Sequence, residues 1–506
     1  MSSVSRRLAL ATAAPSQTLD DNARRQCWEC QRRRVVCDSA RPICGKCKSK
    51  GLVCPGYEDK KPLTWLAPGK VKMRTWKRKN PPNGKGNGAT NGLKNDDTDS
   101  ERASPQEQLV HIFPGHELRT ETCDIVEATF YWNENIYPSF ATNQLTNSPF
   151  LVPVTVIHYV GPCLQHTLTA MAIDHYMFRL ARKKNDPYMA EVKSRFHQHR
   201  CNAISVLNES VANKLTRSSD ITMAGVIVFM YADLMGSMTM TNWRYHLNGF
   251  MTMVAMRGGL KQLCQSAPHL QMLLLFCKII EILANSTSPA HDQVAPVLDF
   301  EMRGFIGELF NIGYYPFLPC PLELFLDIIC INRLRFLAAH QESADMRLLT
   351  AKANDLLGRV LGFSPELWCE TKIESQEEFL TMARLYQSAV VLYALSSLES
   401  VGVISISAGW ETVKATHFSR LFDLLEYSAT SQLTKSCAMW PLVVAGFEAK
   451  RAGAATRSFV VRRLREESRG LGIYLPLATI DVLERFWPTA EDCWDDCFDK
   501  PYALVA

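Results

Sequence analysis

The stretch CWECQRRRVVCDSARPICGKCKSKGLVC, residues 27–54, holds six of the seventeen cysteines in a chain of 506 residues. The spacing is Cys27-x2-Cys30-x6-Cys37, then six residues, then Cys44-x2-Cys47-x6-Cys54, so one half-motif is written twice. A Cys-x2-Cys turn brings two sulfurs onto one tetrahedral ion, and the third cysteine of each half arrives after a short helical stretch. So small a segment cannot build a core of its own, and metal binding becomes its folding energy. Two four-coordinate zinc ions need eight ligand positions and only six thiols are at hand, so two sulfurs must serve both ions. The competing use of clustered cysteines, a disulfide framework, belongs to oxidising compartments. This chain is expected to be soluble and intracellular, with its thiols reduced.

Charge is concentrated in the same place. Residues 24–85 carry 18 Lys/Arg against Glu29, Asp38, Glu58 and Asp59, a net +14 within a chain whose total is +5. Residues 1–23 balance, so everything after residue 85 is mildly acidic. A short basic segment on a mildly acidic remainder is the electrostatic footprint of a nucleic-acid binder. The opening MSSVSRRLALATAAPS is expected to be a disordered tail (1–23) rather than a targeting signal, its apolar run being barely as long as a secretory core. No uninterrupted apolar run reaches the ~18 residues needed to span a bilayer. The closest, LQMLLLFCKIIEILA at 270–284, is broken by Lys278 and Glu281.

Residues 57–115 are expected to form a disordered basic linker. Prolines at 62, 68, 81 and 82 stop helices, and 80–108 is too polar to bury a core. Within it, Lys70, Lys72, Arg74, Lys77, Arg78 and Lys79, interleaved with Trp65 and Trp76, form a second basic run suited to nuclear import or to extending a nucleic-acid contact. From about 116 the texture changes to apolar residues at helical spacing. Phe379, Met382, Ala383, Tyr386, Ala389, Val390 and Tyr393 share one helix face, as do Trp243, Leu247, Phe250 and Val254, whose helix Gly258 and Gly259 should end. VGVISISAGW at 401–410 is ambiguous between strand and loop. The expected fold is a small binuclear cluster domain at 24–56 and a large all-α domain at 116–488. The acidic, aromatic terminus 489–506 reads as a solvated tail after a last helix ending near Trp487, with an activation segment as the competing reading.

The cysteine segment resembles the fungal Zn2Cys6 binuclear cluster. The positions that match are Cys27, Cys30, Cys37, Cys44, Cys47 and Cys54, with Asp38 after the third cysteine and Pro42 before the fourth. The resemblance implies two zinc ions bridged by the first and fourth cysteines, here Cys27 and Cys44. It implies a helix in CQRRRVVC, starting near Cys30, whose N-terminal end and arginines approach the major groove of double-stranded DNA. The base-reading position is Arg34, with Arg33 beside it, on CGG-type triplets; Arg32, Arg41, Lys46, Lys48 and Lys50 would chiefly hold phosphate. Gln31 and Val36 stand where many relatives carry Arg or Lys, which implies fewer backbone contacts. No apolar heptad follows the cluster, so half-site spacing and oligomeric state stay open, including a homodimer through the α domain.

The α region is similar to the fungus-specific transcription factor regulatory domain, through SSDITMAGVIVFMYADLMGSMTMTNWRYHLNGFMTMVAMRGG, with Trp243, His246, Gly249 and Gly258-Gly259, and through LYQSAVVLYAL and MWPLVVAGFEA. That likeness implies a helical regulatory module. No metalloprotease, nucleophile-elbow, P-loop or dinucleotide motif is present, so no catalysis is expected. His246, beside an apolar stripe, reads as structural, and His197 and His199, two apart on a helix, face different ways and should not share a metal. The expected function is that of a nuclear, sequence-specific regulator of RNA polymerase II genes. It would serve one pathway, such as a secondary-metabolite gene cluster, with co-regulators as protein partners. An RNA- or protein-binding zinc module on a helical scaffold is the alternative.

Overall fold

The computed structural model describes residues 26–41, 43–52, 54, 120–139, 151–180, 187–236, 242–294, 300–311, 320–340, 345–370, 372, 375–431 and 437–504. The tail 1–23 and the whole of the linker 57–115, with its second basic run, lie outside them. The chain divides into two units, 1–104 and 105–506. No strand occurs among the described residues.

The first unit contains two short helices, α1 (Trp28–Arg33) and α2 (Gly45–Lys48). The second opens with α3 (Glu121–Tyr131), which widens into a π turn over Trp132–Ile136. There follow α4 (Pro162–Leu180), α5 (Pro187–Ala212), α6 (Asp220–Met235), α7 (Trp243–Met256), α8 (Leu260–Ser266), α9 (Gln271–Ser286) and α10 (Phe300–Asn311). The rest are α11 (Leu322–His340), α12 (Met346–Gly362), α13 (Pro365–Glu370), α14 (Gln376–Ser400), α15 (Ala408–Ser428), α16 (Met439–Glu448), α17 (Ala454–Leu471), α18 (Leu475–Phe486) and α19 (Trp494–Cys497).

Local chemistry sets many boundaries. Thr120, Ser219, Asp345 and Ser407 each accept a backbone N–H in the first turn of α3, α6, α12 and α15, satisfying donors that a helix start leaves open. Helix α7 stops where expected: Gly258 and Gly259 take φ +83° and +94°, and the Gly259 N–H donates back to the Val254 carbonyl at 3.0 Å. The ambiguous 401–410 stretch is a turn through Gly402 (φ +69°) leading to the Ser407 cap of α15.

Helix α14 is the axis of the second unit and touches α11, α12, α13, α15, α16 and α19. The sequence predicted one apolar face. The structure buries nearly the whole circumference, with Leu385, Ser388, Val391, Leu392 and Leu395 joining the predicted set. A helix surrounded on every side has no outer face to keep polar. The span Pro268–Ser286, including α9, is by length and composition apolar enough to cross a membrane, which the broken apolar run did not suggest. It lies 83% buried inside the unit, packed on α6 and α11, with Lys278 and Glu281 paired at 2.7 Å.

The C-terminus departs furthest from expectation. Beyond α18, Trp494, Cys497, Phe498, Tyr502, Ala503 and Leu504 are all buried in the main core. Trp494 Nε1 donates to the Ser286 carbonyl at the end of α9, and Thr287 exchanges hydrogen bonds with Tyr502 through its hydroxyl and its carbonyl. The expected solvated tail is an integral layer of the domain, because its aromatics fill space over α9 and α14 while its acids reach partners at the rim.

Candidate metal centre and nucleic-acid interface

The repeated half-motif folds twice in the same way. Cys27 and Cys44 are the N-caps of α1 and α2, and their Sγ atoms accept the N–H of Cys30 at 3.4 Å and of Cys47 at 3.3 Å. After each turn the chain reverses with one more matching bond, Val35 N–H to the Cys30 carbonyl at 3.1 Å and Leu52 N–H to the Cys47 carbonyl at 3.0 Å. Helix α1 therefore begins at Trp28, not near Cys30, because the first cysteine's own sulfur supplies the cap.

The two halves close face to face. Cys27 Sγ lies 3.6 Å from Cys44 Sγ and 3.8 Å from Cys47 Sγ, and Cys30 Sγ lies 3.7 Å from Cys44 Sγ. Zinc–sulfur bonds of about 2.3 Å in a tetrahedron place sulfurs about 3.8 Å apart, so the spacing fits the ion. Cys27, Cys30, Cys44 and Cys47 are fully buried, and Cys37 and Cys54 are half-buried at the flanks. Cys37 Sγ accepts the Cys27 N–H at 3.5 Å. Burial pushes the Cys27 and Cys30 thiols up and Cys47 to about 12. Without a cation these groups stay protonated, so a metal that displaces the protons is what turns them into ligands.

Asp38 braces the second half. Its carboxylate accepts the Gly45 N–H at 2.8 Å and 3.1 Å. A Cβ on Gly45 would sit 2.3 Å from Asp38 Oδ2. The glycine inside Cys44-Gly-Lys-Cys47 was therefore a readable signal that sequence reasoning passed over.

The predicted basic residues separate by environment. Arg32 donates to Glu29 at 2.9 Å, and that carboxylate raises its pKa. Arg33 is half-buried, while Arg34, Arg41, Lys46, Lys48 and Lys50 are exposed. Arg34 caps the end of α1 in the left-handed region, φ 54° and ψ 41°, and its N–H closes the last turn. The three arginines thus sit at the C-terminal end of α1, where positive charge complements the helix dipole. The N-terminal end is taken up by Cys27 and Cys30, whose sulfurs face those of the second half-motif. Val36, 79% exposed, leaves an apolar side chain in the same neighbourhood.

Comparison with known proteins assigns both units. Residues 25–63 match the fungal Zn(2)-Cys(6) binuclear cluster domain, and 129–504 match the fungal specific transcription factor domain. The chain belongs to the fungal Zn2Cys6 transcription factors. Its cluster domain binds two zinc ions. The chain pairs that domain with a helical one, and the family match runs to residue 504, through the buried C-terminal layer. A regulator from Leptosphaeria maculans, the phomenoic acid biosynthesis cluster-specific transcriptional regulator, is 31% identical over 500 residues, covering 96% of this chain and 90% of its own. No solved structure matches.

In the second unit, His246 is held by Asp233 at 3.2 Å, as expected of a structural histidine. His197 and His199 do not meet. Instead His199 of α5 faces His166 of α4, Nδ1 to Nδ1 at 3.0 Å, a pairing across 33 residues that no local spacing reveals.

Proposed function

We propose that this transcription factor acts in the nucleus by binding duplex DNA through residues 26–54. Cys27 and Cys44 each bridge both zinc ions, Cys30 and Cys37 complete one site, and Cys47 and Cys54 complete the other. The 3.6 Å between the Cys27 and Cys44 sulfurs, and the approach of each to a sulfur of the opposite half-motif, Cys47 at 3.8 Å and Cys30 at 3.7 Å, support that assignment. The observation that carries the reading is Arg34. It is exposed, projected from a left-handed cap, and anchored by a helix that the metal centre holds. Arg34, with Arg33, reads guanine edges in a CGG-type triplet, and Arg41, Lys46, Lys48 and Lys50 contact phosphate. Arg32, tied to Glu29, contributes less. The helical domain regulates this activity and recruits co-regulators. By analogy with the Leptosphaeria protein's name, the targets are the genes of one biosynthetic cluster.

Selection of bound sites from random duplexes by the full-length protein tests this. One recovered triplet would mean a monomer, and two at fixed spacing would mean a dimer assembled through the helical domain. Arg34→Ala should lower the preference for the selected site over a scrambled one by roughly 5- to 150-fold, as expected of about 1–3 kcal/mol from one bidentate contact. An unchanged ratio, or RNA out-competing the selected duplex, would overturn the proposal.

A further inference from the structure

Helices α3, α4 and α5 each bring one metal-binding side chain to a common point. Glu121 comes from the first turn of α3, His166 from α4 and His199 from α5. One donor atom of each lies within 4.8 Å of the other two. His166 and His199 are 8% and 1% exposed, whereas the Glu121 side chain is 44% exposed and forms the solvent side of the group. These donors are nitrogen and oxygen, unlike the sulfurs of the cluster. Two imidazoles and a carboxylate suit zinc and its neighbours cobalt and nickel, not calcium or magnesium, which prefer oxygen alone.

The spacing suits such an ion. Two imidazoles on one tetrahedral zinc put their nitrogens about 3.3 Å apart and their ring centres about 5.2 Å apart. His166 Nδ1 and His199 Nδ1 are 3.0 Å apart and the ring centres 5.3 Å. The rings therefore stand at the right separation and need only turn until both lone pairs converge beside the line that joins them. The surroundings favour that tautomer. His199 Nε2 lies 3.3 Å from Asp124 Oδ2, and Arg195 donates to both Asp124 oxygens at 2.6 Å and 3.0 Å. A carboxylate behind a histidine keeps the hydrogen on Nε2 and turns the Nδ1 lone pair to the metal, the usual second layer of a zinc site. Glu121 Oε1 lies 3.1 Å from His166 Nε2 and accepts from Asn202 at 2.9 Å. Two neutral rings carry two hydrogens for three contacts, so when a hydrogen makes the inner contact, one carboxylate faces a bare nitrogen. An ion in the inner contact leaves both hydrogens for the Nε2 atoms.

We propose that Glu121, His166 and His199 form a third zinc site, separate from the cluster, that fastens α3 to α4 and α5. The histidines bind through Nδ1, Glu121 through a carboxylate oxygen from the exposed side, and water takes the fourth position. Asp124 is a positioning residue for His199. With three nitrogen and oxygen donors against four sulfurs per ion in the cluster, the site is the weaker one. It fills when free zinc rises after the cluster is complete.

The test titrates the full-length protein, carrying its two cluster ions, with Zn2+ under dialysis and counts the bound metal. One further ion per chain should be retained. His166→Gln and His199→Gln should each abolish it, and Glu121→Gln should weaken it by about tenfold or more. Cys123→Ser should leave it unchanged, because the α3 thiol is not among the donors. Co2+ given in place of the added zinc should show visible bands of nitrogen and oxygen ligands without sulfur charge-transfer absorption. Should the histidine variants fail to fold, Glu121→Gln, altered at an exposed side chain, and the cobalt spectrum of the wild type decide. The proposal is overturned by the absence of a third ion, by one that persists in His166→Gln, by one that binds Glu121→Gln equally well, or by a sulfur band.

Discussion

Arg335 is fully buried, and its two terminal nitrogens hold the end of α9. It bonds the carbonyls of Asn285, Ser286 and Ser288, the Tyr393 hydroxyl, and Asp495 of the C-terminal layer at 2.6 Å. One guanidinium thus neutralises a helix C-terminus and ties down the chain's last segment. Arg335→Met should destabilise the regulatory domain by about 3–5 kcal/mol, since it strands a carboxylate and several buried carbonyls; urea unfolding of the variant measures this. His175 works through the proton it refuses. It stays neutral in the fold to about 4, because burial and the nearby Arg179 disfavour its charge, whereas the unfolded chain takes up that proton near 6.5. The depressed value stabilises the fold above 6.5, and this contribution is lost as pH falls through the folded value. The cost of going from pH 7 to pH 5 should be about 2 kcal/mol, and His175→Gln should lose that part of the acid dependence in the same titration.

Among the elements, α14 and α19 are the two whose burial exceeds what their composition announces. Helix α14 reads locally as amphipathic, yet it is enclosed by six other helices. Helix α19 reads as polar, with Asp495 and Asp496 in its first turn, yet Trp494 is fully buried against Tyr393, Phe447 and Phe498. Trp494→Ala should cost about 3–5 kcal/mol. Removing residues 489–506 should cost more, because it also takes Phe498, Tyr502 and Leu504 from the core. The truncated chain is expected to aggregate or to lose its cooperative thermal transition. A truncation that kept both solubility and the transition would show that this layer is dispensable.

For the molecule as a whole, two units with different sources of stability imply two independent responses. The cluster unit depends on zinc, and the helical unit on its large apolar core. Chelation should release two zinc ions per chain and abolish duplex binding, while leaving the helical far-ultraviolet signal and its melting temperature nearly unchanged. Metal analysis beside circular dichroism checks both arms. A melting temperature that dropped with zinc loss would show that the two units are thermodynamically coupled.

The cysteine spacing alone specified the metal centre, because a tetrahedral ion imposes its ligand distances on a short chain and those distances can be read as intervals. The helical character of the remainder was legible for a similar reason, since a 3.6-residue period is written residue by residue. The Gly258-Gly259 stop belongs to the same class. What waited for the tertiary structure were the facts that depend on residues far apart. Cys27's sulfur starts α1 early, Arg335 reaches 160 residues to Asp495, His166 meets His199, and an acidic terminus becomes core. No local pattern encodes such pairings, because burial is settled by what packs on a segment and not by the segment's own composition.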